Sequence, residues 1–369
     1  MQILLVTSHF GAHENVGFMP LVGAELARRG HDVRGLQYEE GEVIDAFPID
    51  RVSTRELYTP YWFGQWLFYR DWVPKVRSYI SDVDPDIIVT DRRCMAPTLL
   101  AADDLGVPAV GVVPGLGFTR FDPWNLDERK TPSFLGAPFS VKIQYPFVQR
   151  LFQWHRQALA AASETVVISE FLQDVLHNTF DCDSTIVRTP VPLDDVRASS
   201  VDPKYLTVVN PRTTLKGSRL TARIAEHFPN YEFQIAGEFA SKEDQQRIAG
   251  LNHVDHLGWV DNMQRVYENA SLILVPSLVE EGGGPRVVIE GFANGIPAVG
   301  SDRGAIPEHI NDAGRVVSNP MDMEEWRTAI EQALEHRDEL SQQAYNAARQ
   351  YDARDRVEEF ERVLHRVIE

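Results

Sequence analysis

Short apolar runs alternate with stretches of helical period along most of this chain. An unbroken apolar run bounded by turn residues marks a strand buried on both faces. Strands alternating with helices in this way imply an α/β fold built on parallel sheets. The pattern predicts strands over residues 2–7, 31–35, 86–90 (DIIVT), 109–113 (AVGVV) and 165–168. Helices are predicted over 18–29, closed by Gly30, and near 97–105, and Ser169 stands where it caps the helix after the last of these strands.

The layout then restarts. Residues 205–210 read as a strand, 216–227 as a loop and helix, and 231–236 as the next strand. Two such units, roughly 200 residues apart, predict two Rossmann-like doubly wound domains and not one long sheet. Prolines, aspartates and serines gather over 190–203, which places the domains at 1–195 and 196–351. The last segment, 352–369, has the pattern of a charged amphipathic helix. Doubly wound folds bind ligands beyond the carboxyl ends of their strands, so the expected site is a cleft that the two domains face.

Residues 276–308, PSLVEEGGGPRVVIEGFANGIPAVGSDRGAIPE, carry the densest chemistry. An apolar strand over 271–276 runs into a loop holding Glu280, Glu281 and three glycines, Gly282, Gly283 and Gly284. Glycine lets backbone come close to a ligand. Pro285 suits the first helical position, and a helix start offers free N–H groups to an anion, phosphate above all. Glu290, on the second turn, is an acceptor-only group suited to a pair of hydroxyls. Phosphate beside a diol suggests a nucleotide sugar; the alternative is an ordinary strand–turn–helix with a solvated glutamate.

These runs resemble the donor-sugar signature of the retaining GT-B glycosyltransferases of family four, the group 1 glycosyl transferases. The likeness rests on RVVIE (286–290) and on the G-x-P-A-V-x-S-D-R-G-x-x-P-E run ending at Glu308. It is close over 200–345 and holds only in outline over 1–190. It implies a GT-B fold, with an acceptor-binding N-terminal domain, a C-terminal domain for the nucleotide-sugar donor, and the helix of 352–369 crossing back onto the first domain. In the family, two glutamates stand eight positions apart. Here Gly282 lies eight before Glu290, so the loop is one residue longer, and Glu281, with Glu280 as its rival, is the candidate for the first carboxylate. The run NPRTTLKG (210–217) resembles the family's diphosphate clamp. Arg212 and Lys216 would then neutralise the departing nucleoside diphosphate, the role of a metal ion elsewhere, so neither a metal nor any other cofactor is expected. The resemblance thus implies Arg212, Lys216 and Glu281 as catalytic residues. Gly17, Gly282, Gly283, Gly284, Pro285, Arg286 and Glu290 are implied to bind the donor. It also implies a mechanism without a protein nucleophile, matching the lack of any Ser/His/Asp or Cys/His pattern: the acceptor hydroxyl attacks the face that the nucleotide leaves.

On the acceptor side, His9 follows the first strand and Asp91 ends DIIVT. The histidine that many members carry after the fourth strand is replaced by Pro114, in VVPG. Residues 58–72 hold eight aromatics in fifteen positions, and 118–154 adds more, interleaved with Arg120, Arg129, Lys130, Lys142 and Arg150. Such stretches pack a core, stack on a sugar or lipid-linked glycan acceptor, or dock the N-terminal domain peripherally on a membrane; all three readings stay open.

Composition narrows the partners. The formal net charge of −18 excludes a nucleic-acid backbone, which needs a basic footprint. Cys94 and Cys182 lack metal-ligand spacing and read as reduced thiols. No apolar run has the length of a membrane span, and MQILLVTS reads as a strand and not a leader, so a cytoplasmic protein is expected, including one at the inner face of the membrane. Two rival functions remain: a nucleotide-sugar epimerase of the same fold, which would need acids and bases around the sugar C2, and a non-catalytic nucleotide-sugar binder.

Overall fold

The computed structural model describes residues 1–11, 17–54, 60–118 and 139–369. Two compact units form, one from Met1–Pro190 with Arg354–Glu369 and the other from Val191–Ala353.

The described residues of the first unit build a parallel sheet from β1 (Gln2–Val6), β2 (Asp32–Gln37), β3 (Ile49–Arg51), β4 (Ile87–Asp91), β5 (Ala109–Val113), β6 (Glu164–Val167) and β7 (Thr185–Ile186). Its order is β3-β2-β1-β4-β5-β6-β7. The second unit's parallel sheet uses β8 (Tyr205–Val209), β9 (Phe233–Ala236), β10 (Val254–Gly258), β11 (Ala270–Val275), β12 (Ala298–Ser301) and β13 (Gly314–Val317), in the order β10-β9-β8-β11-β12-β13. In each sheet the winding reverses at the side of the first strand, between β1 and β4 and between β8 and β11.

The apolar runs become central strands because both faces are covered. Along β11, Leu272 and Leu274 enter one core with Phe233 and Trp326, whereas Ile273 and Val275 enter the other with Phe292 and Ile306. Successive residues of a strand point to opposite faces, so only a continuous apolar run satisfies both cores. Ser169 caps the helix Glu170–Phe180, its Oγ accepting the Leu172 N–H at 3.1 Å.

The final helix, Ala353–Ile368, buries Val357, Phe360 and Leu364 along one stripe. Phe360 meets Phe18 edge-on at 5.3 Å, and Glu361 binds Arg29 at 3.0 Å and His31 at 2.6 Å, all within the first unit. The units divide after Pro190 and after Ala353, against expected divisions after 195 and 351. Val191 and Leu193 belong to the second unit's core, so the polar, proline-rich stretch begins past the division. There Val191 pairs with the returning chain: its N–H donates to the Tyr351 carbonyl at 2.8 Å, and the Ala353 N–H donates to the Val191 carbonyl at 3.0 Å. No helix among the described residues is long and apolar enough to cross a membrane.

Candidate functional site

In the second unit a cavity of about 480 Å³ opens at the carboxyl ends of β8 and β11, where the strand order reverses. Asn210 leaves β8 in the left-handed region (φ 52°), and the loop then folds back to Gly217. Gly217 has φ 88°, and a Cβ there would collide with the Pro276 carbonyl at the end of β11. Only glycine permits that approach. It brings Lys216 to Glu281, with Nζ at 2.6 Å from both carboxylate oxygens, while Ser277 Oγ donates to Glu281 Oε1 at 2.9 Å.

The loop carrying Glu281 is pinned by its backbone. Glu281 bridges to Gly304, and its carbonyl accepts the Ala305 N–H at 2.8 Å. Gly304 has φ 62°, and a Cβ there would lie 2.6 Å from the Glu281 N and O. Glu281 lines the cavity and Glu280 does not. Arg212, Lys216 and Arg286 are the cations on its wall, against the one carboxylate of Glu281. In a chain of net charge −18, this is a local positive surface suited to an anion. Arg212 has no carboxylate partner among the described residues, so its charge is offered to the cavity uncompensated.

Glu290 sits on the helix Arg286–Phe292 with both oxygens engaged: Arg286 Nε donates at 2.7 Å and the Tyr267 hydroxyl at 2.5 Å. Burial and the neighbouring Glu290 charge push the Tyr267 phenol well above its ordinary pKa, so it stays protonated and donates. Glu290 is joined to the cavity through Arg286, which lines it. Pro285 is the residue before the helix and not its first, and it too lines the cavity. None of Gly282, Gly283 and Gly284 lines it. Gly282 is buried. Gly284 has φ 71°, and a Cβ there would be driven into the imidazole of the buried His309. At Gly284 the glycine is demanded by packing and backbone conformation.

In the first unit, Asp91 ends β4 and is buried, with Thr7 Oγ1 donating to Oδ1 at 2.5 Å and Arg92 Nε 3.6 Å from Oδ2. Burial pushes its pKa up to about 6, although Arg92 and the Thr7 bond act the other way. Asp91 lines neither this cavity nor one of about 400 Å³ in the first unit, whose wall holds Arg92, Arg93 and Pro114. His9 lines neither cavity: its Nδ1 accepts the Gly11 N–H at 3.1 Å, and its ring fills the space beside Gly41. Gly17 is the N-cap of the helix Phe18–Arg28, with φ 97°. Arg120, Arg129 and Lys130 lie outside the described residues. The aromatic run divides its roles along the helix Tyr61–Val83: Phe68 and Trp72 are core, Tyr61 and Trp62 line the cavity, and the buried Tyr69 does both.

Two family models match the sequence in succession, Glycosyltransferase Family 4 over residues 22–195 and Glycosyl transferases group 1 over 218–336. The chain belongs to the group 1 GT-B glycosyltransferases. Solved structures agree on the fold of this glycosyltransferase. A glycosyltransferase from Rickettsia africae matches at TM-score 0.73 and 14% identity, covering 100% of this chain and 98% of that one. Sucrose-phosphate synthase from Thermosynechococcus elongatus matches at 0.74 and 15%, covering 100% and 99%. HepE from Anabaena, solved with UDP, matches at 0.72 and 15%, covering 99% and 100%. No curated protein matches the sequence significantly.

The sequence pattern of the glycosyltransferase pointed to Arg212, Lys216, Glu281, Pro285 and Arg286, and the structure brings these five to one cavity. It did not point to Ser277 or Tyr267, which hold the two glutamates. Ser277 directly follows the apolar run that forms β11, a position that was visible; Tyr267 carried no local signal.

Proposed function

We propose that this glycosyltransferase binds a nucleotide-sugar donor in the cavity of its second unit and transfers the sugar, with retention and without a metal ion, to a hydroxyl acceptor held by its first unit. The observation that carries the reading is the cluster of Arg212, Lys216 and Arg286 around Glu281 at the switch point of the sheet. Departure of a nucleoside diphosphate builds negative charge on its phosphate oxygens. Cations already fixed in place stabilise that charge without reorganising. Arg212, unpaired with any carboxylate among the described residues, and Lys216 take the phosphates. Glu281, fixed by Ser277 and the bridge to Gly304, holds hydroxyls of the sugar being moved. The C1–phosphate bond breaks, the acceptor oxygen bonds C1 on the same face, and the acceptor proton passes to the leaving phosphate oxygen. Glu290 accepts hydrogen bonds from the ribose diol through its remaining lone pairs.

The structures of HepE with UDP and with UDP-glucose support a nucleotide-sugar donor. The acceptor is a glycan, free or lipid-linked, reached from the cytoplasmic side. Tyr61, Phe139 and Ile143 are exposed apolar side chains of the first unit and support a peripheral contact with a membrane.

The clamp is tested by Arg212→Ala and Lys216→Ala. Each lowers kcat by about 10² or more, the scale of losing one contact to a developing oxyanion, and activity persists in EDTA. A strict requirement for a divalent ion, or full turnover in both variants, contradicts the mechanism.

A further inference from the structure

Where the final helix returns to the first unit, three side chains of metal-ligating type meet. His31, Glu361 and His365 each present a ligand atom, and these atoms all lie within 4.8 Å of one another. Among the described residues no other three histidine, cysteine or carboxylate side chains gather so closely. His31 and Glu361 are 330 positions apart in the chain, so only the fold brings them together.

The backbone sets the place of each. The helix Phe18–Arg28 closes at Gly30, which has φ 90°. There the Gly30 N–H donates to the Ala27 carbonyl at 3.0 Å and the His31 N–H to the Leu26 carbonyl at 3.2 Å. This closure holds His31 directly between that helix and β2. Glu361 and His365 stand four apart on the helix Ala353–Ile368, hence on one face. Phe360, Val363 and Leu364 are buried beside them, and Phe360 packs on Phe18.

His31 Nε2 lies 2.6 Å from Glu361 Oε1, and the two imidazole rings are 6.2 Å apart. Ligands held at about 2.1 Å around a tetrahedral ion stand about 3.4 Å from one another. An ion therefore needs His31 and Glu361 to part by about 0.8 Å. The exposed His365 has room to swing inward, and its ring makes no hydrogen bond among the described residues that would have to break. Arg29 holds the other carboxylate oxygen: Nη1 donates to Glu361 Oε2 at 3.0 Å, while Nε donates to Glu25 at 3.2 Å and Nη2 to the Arg354 carbonyl at 3.0 Å. A carboxylate fixed through one oxygen is oriented to ligate through the other. A simple ion pair of His31 with Glu361 accounts for two of the three residues and leaves His365 idle. Two imidazoles and one carboxylate suit zinc or a similar first-row ion, whereas magnesium and calcium favour oxygen alone.

We propose that His31, Glu361 and His365 bind one divalent transition ion, zinc above all, with water as the fourth ligand, and that the ion clips the final helix to the end of the helix Phe18–Arg28. None of the three lines either cavity, so the site stands apart from sugar transfer and its test does not use turnover.

Tag-free protein is stripped with a chelator, exchanged into chelator-free buffer and titrated with zinc against a chromophoric competitor. One zinc binds per chain. His365→Ala lowers the affinity at least about tenfold, the least that even a hydrogen-bonding partner of a metal ligand contributes. Because this side chain is exposed, the variant folds and its metal-free Tm matches that of wild type. Zinc at about 100 times its dissociation constant raises the wild-type Tm by about 5 °C or more. The same concentration moves His365→Ala by about half as much or less, and magnesium moves neither. Cobalt in place of zinc gives the strong visible bands of a four-coordinate site in wild type and loses them in the variant. Zinc that fails to bind, binds wild type and variant alike, or raises both Tm values equally overturns the proposal, as do weak, six-coordinate cobalt bands in wild type.

Discussion

Glu281→Gln isolates the carboxylate of the irregular loop. The change keeps the shape of the side chain and removes one negative charge that sits 2.6 Å from Lys216 Nζ. Lys216 is 49% exposed, so solvent screening holds the pair's contribution to about 1 kcal/mol of stability. A shift of that size lowers Tm by about 2–4 °C in a unit the size of Val191–Ala353, and the variant stays folded. Turnover responds far more. Losing one fixed group that touches the reacting sugar costs on the order of 10²-fold in kcat, about 2.7 kcal/mol of barrier. Affinity for the free nucleoside diphosphate moves the other way. Lys216 no longer shares its charge with a carboxylate, so the diphosphate binds as tightly as in wild type or several-fold more tightly, on the order of 1 kcal/mol. Nucleotide-release kinetics and calorimetry on the same preparations read the two quantities. Glu280→Gln is the internal comparison, because Glu280 does not line the cavity, and stays within about threefold of wild type in kcat. Full turnover in Glu281→Gln, or a fall in nucleotide affinity that parallels kcat, refutes the role given to Glu281. A large effect confined to Glu280→Gln would move the carboxylate by one residue.

Glu290→Gln weakens nucleotide binding by about 1.5–3 kcal/mol, since it removes the charge that accepts from Arg286, Tyr267 and the ribose; unchanged affinity in a folded variant excludes the ribose contact. Gly284→Ala loses about 2–3 kcal/mol in urea unfolding, because the added methyl meets buried His309 at a φ of 71°; a neutral result would show that the loop relaxes freely. Asp91 gives a pH signature. Its folded pKa of about 6 lies above the free value of 3.8, so the folded state holds the extra proton in between. Its contribution is therefore most favourable below about pH 4 and is lost as pH rises through 6, a change of about 3 kcal/mol. Asp91→Asn is accordingly more stable than wild type at pH 8, and the gain shrinks toward pH 4.5; a gain independent of pH contradicts the assignment.

The central strands were legible because burial on both faces demands unbroken apolar runs: β5 matches its predicted span, and β1, β4, β8 and β11 fall within a residue of theirs. The edges were not. β3 reads IDR with an exposed Asp50 and Arg51, and β7 pairs through only two residues, so neither carries an apolar run to find. At the site, Arg212, Lys216 and Glu281 were legible from two loops because each follows a strand whose end is fixed by the fold. What surrounds them was not. The Tyr267 bond to Glu290 joins residues brought together only when β11 and the following helix pack. The need for glycine at 217, 284 and 304 arises from contacts with Pro276, His309 and Glu281 that exist only in the folded chain. No motif singles out Arg93, and only the folded aromatic helix shows its guanidinium held over Phe68.

The most direct test of the account is the stereochemistry of the sugar transferred. The purified protein is incubated in EDTA with a panel of nucleotide sugars and of hydroxyl acceptors, and the anomeric configuration of the first product is followed by NMR. The account predicts stoichiometric release of a nucleoside diphosphate and a new glycosidic bond with the configuration of the donor. An inverted product, a new sugar isomer still attached to the nucleotide, or binding without release would contradict it.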